Sequence, residues 1–223
     1  MMQNNAVASR TPTAVLATNK MIRNTYTLLA MTLVFSAATA GVAMVMNMPF
    51  MNPFLVIGGY FALLFLTHKT ANSAMGLVFV FALTGFMGLT LGPILNAYLS
   101  MSNGSQIVMT ALGGTGAIFL GLSGYALTTR KDFSFMGGFL MVGILVAFLA
   151  GIGAAIFGMP MLSLAVSGMF VLLMSGLILY QTSQIVHGGE TNYVLATVTL
   201  YVSIYNLFLS LLHILGALGG NDD

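Results

Sequence analysis

TLYVSIYNLFLSLLHIL, residues 199–215, carries no Asp, Glu, Lys or Arg, yet polar residues interrupt it at a regular beat. Thr199, Ser203, Asn206, Ser210 and His213 follow one another at gaps of four, three, four and three, which places them on one stripe of an α-helix. Tyr201, Tyr205 and Phe208 point elsewhere. A strand would alternate polar and apolar residues, and this stretch does not, so it reads as a helix long enough to cross a bilayer. A polar stripe turned toward lipid is penalised, so the seam belongs against other helices at the centre of a bundle.

The rest of the chain agrees. Its 223 residues are 58% hydrophobic and only 4% charged, with a mean hydropathy of +1.00, whereas a water-soluble domain is roughly a quarter charged. The apolar atoms must face lipid. The 26 glycines and 18 methionines suit membrane helices, which use glycine for close approach and methionine to fill irregular gaps. Without cysteine there can be no disulfide, thiolate metal site or cysteine nucleophile.

Only helices or closed barrels cross a membrane with every backbone group satisfied, and none of the apolar segments alternates as a barrel strand does. Seven spans follow, at about 25–46, 50–67, 73–92, 106–127, 135–157, 161–180 and 193–215. The fold class is an all-α integral membrane protein, a seven-transmembrane-helix bundle occupying residues 25–223. Residues 1–24, polar and basic, read as a flexible cytoplasmic tail, and the first span is too long for a signal peptide. Arg10, Lys20, Arg23, Lys69, Arg130 and Lys131 all fall on one side of this topology. Because Lys- and Arg-rich loops stay in the cytoplasm, the N-terminus is placed inside and the C-terminus on the periplasmic side.

No charged residue lies within a predicted span. Asp132 tempers Arg130 and Lys131, while Glu190 and Thr191 complement the positive start of span 7. His68 and His187 fall at the inner face and His213 at the outer, too far apart for a shared metal or a hydrolase triad, so neither a metal nor an enzymatic activity is expected. The string GGTGAIFLG, 113–121, lacks the glycine spacing and the preceding strand of a nucleotide site. Small residues recur at helix-face spacing on span 3 (Gly85, Gly88, Gly92), span 4 (Gly114, Ala117, Gly121, Gly124) and span 5 (Gly143, Ala147, Gly151, Ala155), as close helix packing requires. Pro49 and Pro160 mark outer turns, and Pro93 is read as closing span 3. The seam's nearest partner is the end of span 6, where Tyr180, Gln181, Thr182 and Gln184 gather. Two readings of the seam stand side by side: hydrogen-bonding glue between helices, or a wetted path.

GLILYQTSQIVHGGETNYVLATVTLYVSIYNLFLSLLHILG, 176–216, resembles the C-terminal signature of the Bax inhibitor-1 family, most closely its bacterial YccA-like branch. LGPILNAY, 91–98, and GLSGYALTTRKDFSFMGGFL, 121–140, extend the likeness. The resemblance implies a seven-helix bundle with the last helix central. It also implies a bacterial inner-membrane protein, without a cofactor, that binds and restrains the FtsH membrane-anchored ATP-dependent protease. Many family members carry a pair of aspartates associated with a pH-gated calcium leak, and the matching positions here are Gln181 and Ser203. An amide and a hydroxyl do not titrate near neutral pH, so a leak gated in that way should be weakened or absent. A calcium or other cation leak along the seam is the alternative function. It would have to run over neutral oxygens, although calcium prefers carboxylates. The candidate site is thus Gln181, Gln184, Thr199, Ser203, Asn206, Ser210 and His213.

Overall fold

In the computed structural model, residues 12–219 are described, and they form seven long helices: α1 (Pro12–Val45), α2 (Pro53–Thr70), α3 (Ala74–Leu99), α4 (Gly104–Thr129), α5 (Gly137–Ile156), α6 (Pro160–His187) and α7 (Tyr193–Gly219). A single 3₁₀ turn, Ser134–Met136, joins α4 to α5. All seven helices are long and apolar enough to cross a membrane.

Three boundaries differ from the hydropathy reading by more than four residues, each for a physical reason. Helix α1 starts at Pro12, so residues 12–24, read as tail, continue the helix that forms the first span; residues 1–11 lie outside the described residues. The sequence there, PTAVLATNKMIRN, is rich in good helix formers, and proline suits a first helical turn. Helix α3 runs through Pro93 to Leu99 instead of closing there. Pro93 costs one backbone hydrogen bond, which a membrane helix held by its neighbours tolerates. Helix α6 runs past Tyr180 to His187, because Gln181, Thr182 and Ser183 are buried in protein, not exposed at a helix end. It stops at Gly188, whose φ of 78° is the left-handed conformation that glycine adopts freely, and the Gly189 N–H closes onto the Gln184 carbonyl at 2.9 Å.

Packing follows the small-residue stripe of α3. A Cβ on Gly85 would meet the Phe35 ring, one on Gly88 would meet Thr39 Oγ1 and the Ser36 carbonyl, and one on Gly92 would meet Ala43. Helices α1 and α3 therefore approach at backbone distance. The stripe on α4 does not act this way: Gly121 and Gly124 face open space, and Gly114 has only Leu211 near it. On α5, Gly143 gives room to Leu173 of α6.

Helix α7 packs against α1, α3, α4 and α6, whereas α2 lies along α3 and α5 lies along α6. Burial shows who faces lipid: 61% of the spanning window of α7 is inside the bundle, against 6% for α2. Leu200 and Leu207 of α7 are fully buried in a core with Leu83 of α3 and Ile178 of α6, while Leu212 is buried in a smaller cluster with Ile107 and Ala111 of α4. The last helix is the central one.

Candidate functional site in the bundle centre

The seam on α7 is largely turned into protein, but its polar groups look after themselves. Ser203 is fully buried, and its hydroxyl donates to the Thr199 carbonyl of its own helix at 2.7 Å. Asn206 does the same through Nδ2 to the Val202 carbonyl at 2.8 Å. Such back-bonding satisfies a donor in an apolar setting without recruiting another helix. Thr199 and Ser210 make no cross-helix side-chain bond among the described residues. His213 is the seam residue that does, with Nδ1 2.7 Å from Ser167 Oγ on α6. The Ser167 hydroxyl also lies 3.1 Å from the Ser163 carbonyl of its own helix.

The other face of α7 carries the inter-helix bonds. Tyr201, fully buried, reaches Ser36 Oγ of α1 at 2.6 Å and the Thr84 carbonyl of α3 at 3.2 Å. Tyr205 stacks on Tyr201 and reaches Thr90 Oγ1 of α3 at 3.1 Å. One turn nearer the start of α7, Thr197 donates to the Thr25 carbonyl of α1 at 3.2 Å. On α6, Thr182 joins Tyr26 of α1 at 3.1 Å and Ser123 of α4 at 3.5 Å. Sequence reasoning set the two tyrosines aside as pointing away from the seam. The signal that finds them is their i, i+4 spacing on a buried helix, since a buried tyrosine hydroxyl nearly always has a partner.

Gln181 is 5% exposed, and its Nε2 has no hydrogen-bond partner among the described residues. Gln184 is half-buried, with its Oε1 against Gly189, where a side chain would collide with it. A cavity of about 390 Å³ lies among α1, α3, α4 and α7, with Tyr201, Tyr205, Ser36, Thr115 and Phe119 in its wall. Neither Gln181 nor any seam residue lines it. The structure thus keeps the seam as buried lining, and the cavity beside it is walled almost wholly by carbon.

At the end of the bundle where α4 leaves and α7 begins, side chains clasp the loops. Asn192 caps α7, its Oδ1 accepting from the Val194 and Leu195 N–H groups at 2.9 and 3.3 Å. Its Nδ2 donates to the Ala71 carbonyl and to Asn72 Oδ1, which ties the α2–α3 loop to the start of α7. Glu190, read as complementing that helix start, acts one step back by accepting from the Asn192 N–H at 2.8 Å. Asp132 accepts from the Ser134 N–H at 2.8 Å, and this bond, with the nearby His187, holds its carboxyl below the usual range. His68 ends α2, His187 ends α6 and His213 lies near the end of α7. Among the described residues no three His, Cys, Asp or Glu side chains come together as a metal site would need.

A bundle of seven membrane-length helices around a central apolar helix that carries a polar seam and no Asp, Glu, Lys or Arg defines a multi-pass membrane protein. The sequence profile of the family described as "Inhibitor of apoptosis-promoting Bax1" matches residues 18–220, and the chain belongs to that family. Over 209 residues, covering 94% of this chain and 95% of the relative, it is 52% identical to an Escherichia coli K12 protein named modulator of FtsH protease YccA. The same figures hold for the inner membrane protein YccA of Escherichia coli O6:H1. It is 54% identical over 202 residues, 91% of each chain, to an uncharacterized protein of Pseudomonas aeruginosa. The resemblance read from residues 176–216 is borne out, and the chain is a multi-pass inner-membrane protein.

Proposed function

We propose that this chain is a non-enzymatic modulator of an FtsH-type membrane-anchored protease, acting in the quality control of membrane proteins. The observation that carries this reading is 52% identity over nearly the whole length of a relative named for that role. Two structural features support it. Helix α1 has 34 residues and is thus about 51 Å long, well beyond a hydrocarbon core of about 30 Å. Its first turns, with Lys20 and Arg23, project toward the side that also holds Lys69, Arg130 and Lys131. By the bias of basic residues that side is cytoplasmic, where the projecting helix can meet the protease. A cation leak finds less support, since the Ser203 hydroxyl and the Asn206 Nδ2 bond within their own helix and, among the described residues, no Asp or Glu lies on α6 or α7.

Deleting the gene should change the half-life of misassembled membrane proteins that the protease degrades, and the tagged protein should co-purify with it in mild detergent. An unchanged half-life together with no co-purification overturns the reading. Repeating the co-purification without residues 1–24 tells whether the N-terminal segment or the bundle makes the contact.

A further inference from the structure

At the end of α6, His187 presents both ring nitrogens to backbone carbonyls. Nδ1 lies 2.9 Å from the Ser183 carbonyl, and Nε2 lies 3.0 Å from the Arg130 carbonyl in the loop after α4. A carbonyl only accepts, and a neutral imidazole carries one N–H, so only the doubly protonated ring fills both positions. Ser183 beside it completes the arrangement. Its hydroxyl donates to the Lys131 carbonyl at 3.1 Å while its oxygen accepts from the Phe133 N–H at 3.0 Å. His187 and Ser183 thus hold three successive stretches of the loop backbone, at Arg130, Lys131 and Phe133.

We propose that this is a proton-operated clasp: protonated His187 locks the α4–α5 loop onto the end of α6, and the neutral ring loosens it. On deprotonation a neutral ring that keeps its Nε2–H bond to Arg130 turns an Nδ1 lone pair toward the Ser183 carbonyl. The side-chain remedy among the described residues is the Ser183 hydroxyl, 3.3 Å from Nδ1, which must leave the Lys131 carbonyl to donate there. A ring that instead keeps Nδ1–H gives up Arg130. Each route sacrifices one bond between loop and helix.

The backbone at Arg130 makes the loosening productive. Its φ of 51° is the left-handed cap conformation that ends α4, with its N–H on the Ala126 carbonyl, and it is a disfavoured conformation for a non-glycine residue. The charged groups on the same loop are Arg130, Lys131 and Asp132, all with exposed side chains; Glu190 lies past the cap of α6 and is engaged with Asn192. Tyr125 of α4, Tyr180 of α6, Tyr193 of α7, His68 and Lys69 of α2, and Lys20, Arg23 and Tyr26 of α1 are the other titratable groups toward this end of the bundle among the described residues. Asp132 feels His187 directly, and because its carboxyl is held below the usual range it stays charged throughout the range in which histidine titrates. The direction follows from geometry: the clasp is complete with the doubly protonated ring and one bond short with the neutral one. The regulated object is a loop bearing two exposed cations, so its release changes what that face offers to a partner.

The absence of cysteine permits a clean test, in which a spin label is attached to the single cysteine of Lys131→Cys in the full chain in lipid nanodiscs. The mobile fraction should rise at least about twofold between about pH 6 and pH 8. The same label in a His187→Gln background should show no change across that interval, since glutamine does not titrate, while an Asp132→Asn background should keep the rise. A pH-independent label in the His187 protein, or a rise that survives His187→Gln, overturns the clasp. Nitrogen NMR of the histidine rings reads the same step without a label. The signals that His187→Gln removes should come from a doubly protonated ring at pH 6, and a singly protonated ring there would sink the proposal.

Discussion

Tyr201 and Ser203 stand two residues apart on α7, both with no contact to solvent, yet their hydroxyls do different work. The tyrosine spans three helices, because its hydroxyl meets Ser36 of α1 and the Thr84 carbonyl of α3, whereas the serine bonds within its own turn. Tyr201→Phe should therefore destabilise the bundle by about 1 kcal/mol, the usual magnitude for an inter-helix hydrogen bond in a membrane protein, since it strands the Ser36 hydroxyl. Ser203→Ala should stay within about 0.5 kcal/mol of neutral, because the Thr199 carbonyl keeps its backbone partner. Thermal unfolding in detergent ranks the two; a larger loss for Ser203→Ala would mean that the seam, and not the tyrosine face, ties the helices together. The periodicity of residues 199–213 was legible from spacing alone. What each hydroxyl bonds to was not, because own-helix and cross-helix partners leave the same pattern of residue types.

At the scale of the element, apolar run length located all seven helices, because hydrocarbon thickness fixes how long such a run must be. The ends were harder to read wherever polar residues are buried by neighbours and do not mark the water boundary, as with Gln181, Thr182 and Ser183 in α6. Similar small-residue stripes also hid different contacts. Gly88 of α3 sits against the Ser36 carbonyl and Thr39 of α1, while Gly121 of α4 faces nothing within 4 Å. Gly88→Ala should cost about 1–3 kcal/mol, since the obstruction includes rigid backbone, while Gly121→Ala should be neutral or stabilise by up to about 1 kcal/mol through helix propensity. Parallel melting curves distinguish the pair. Equal effects would show that α1 and α3 can separate without penalty, against the close approach described above.

For the whole molecule, antiparallel succession of seven helices puts the starts of α1, α3, α5 and α7 at one end with the finishes of α2, α4 and α6. Lys20, Arg23, Lys69, Arg130 and Lys131 all collect at that end, and among the described residues the opposite loops contain neither Lys nor Arg. Five basic groups on one side bias insertion because each resists translocation, so this end should be cytoplasmic and the turn at Asn47 periplasmic. The same asymmetry puts the His187 clasp and the projecting start of α1 on one face, which a cytoplasmic protease domain could engage together. In the cysteine-free chain, cysteines placed singly at Lys69 and Lys131 should react with a membrane-impermeant thiol reagent only in inverted vesicles. Those placed at Asn47 and Asn103 should react in intact spheroplasts. The reverse pattern would turn the bundle over, move the clasp to the periplasm and remove the cytoplasmic contact on which protease modulation through this face depends.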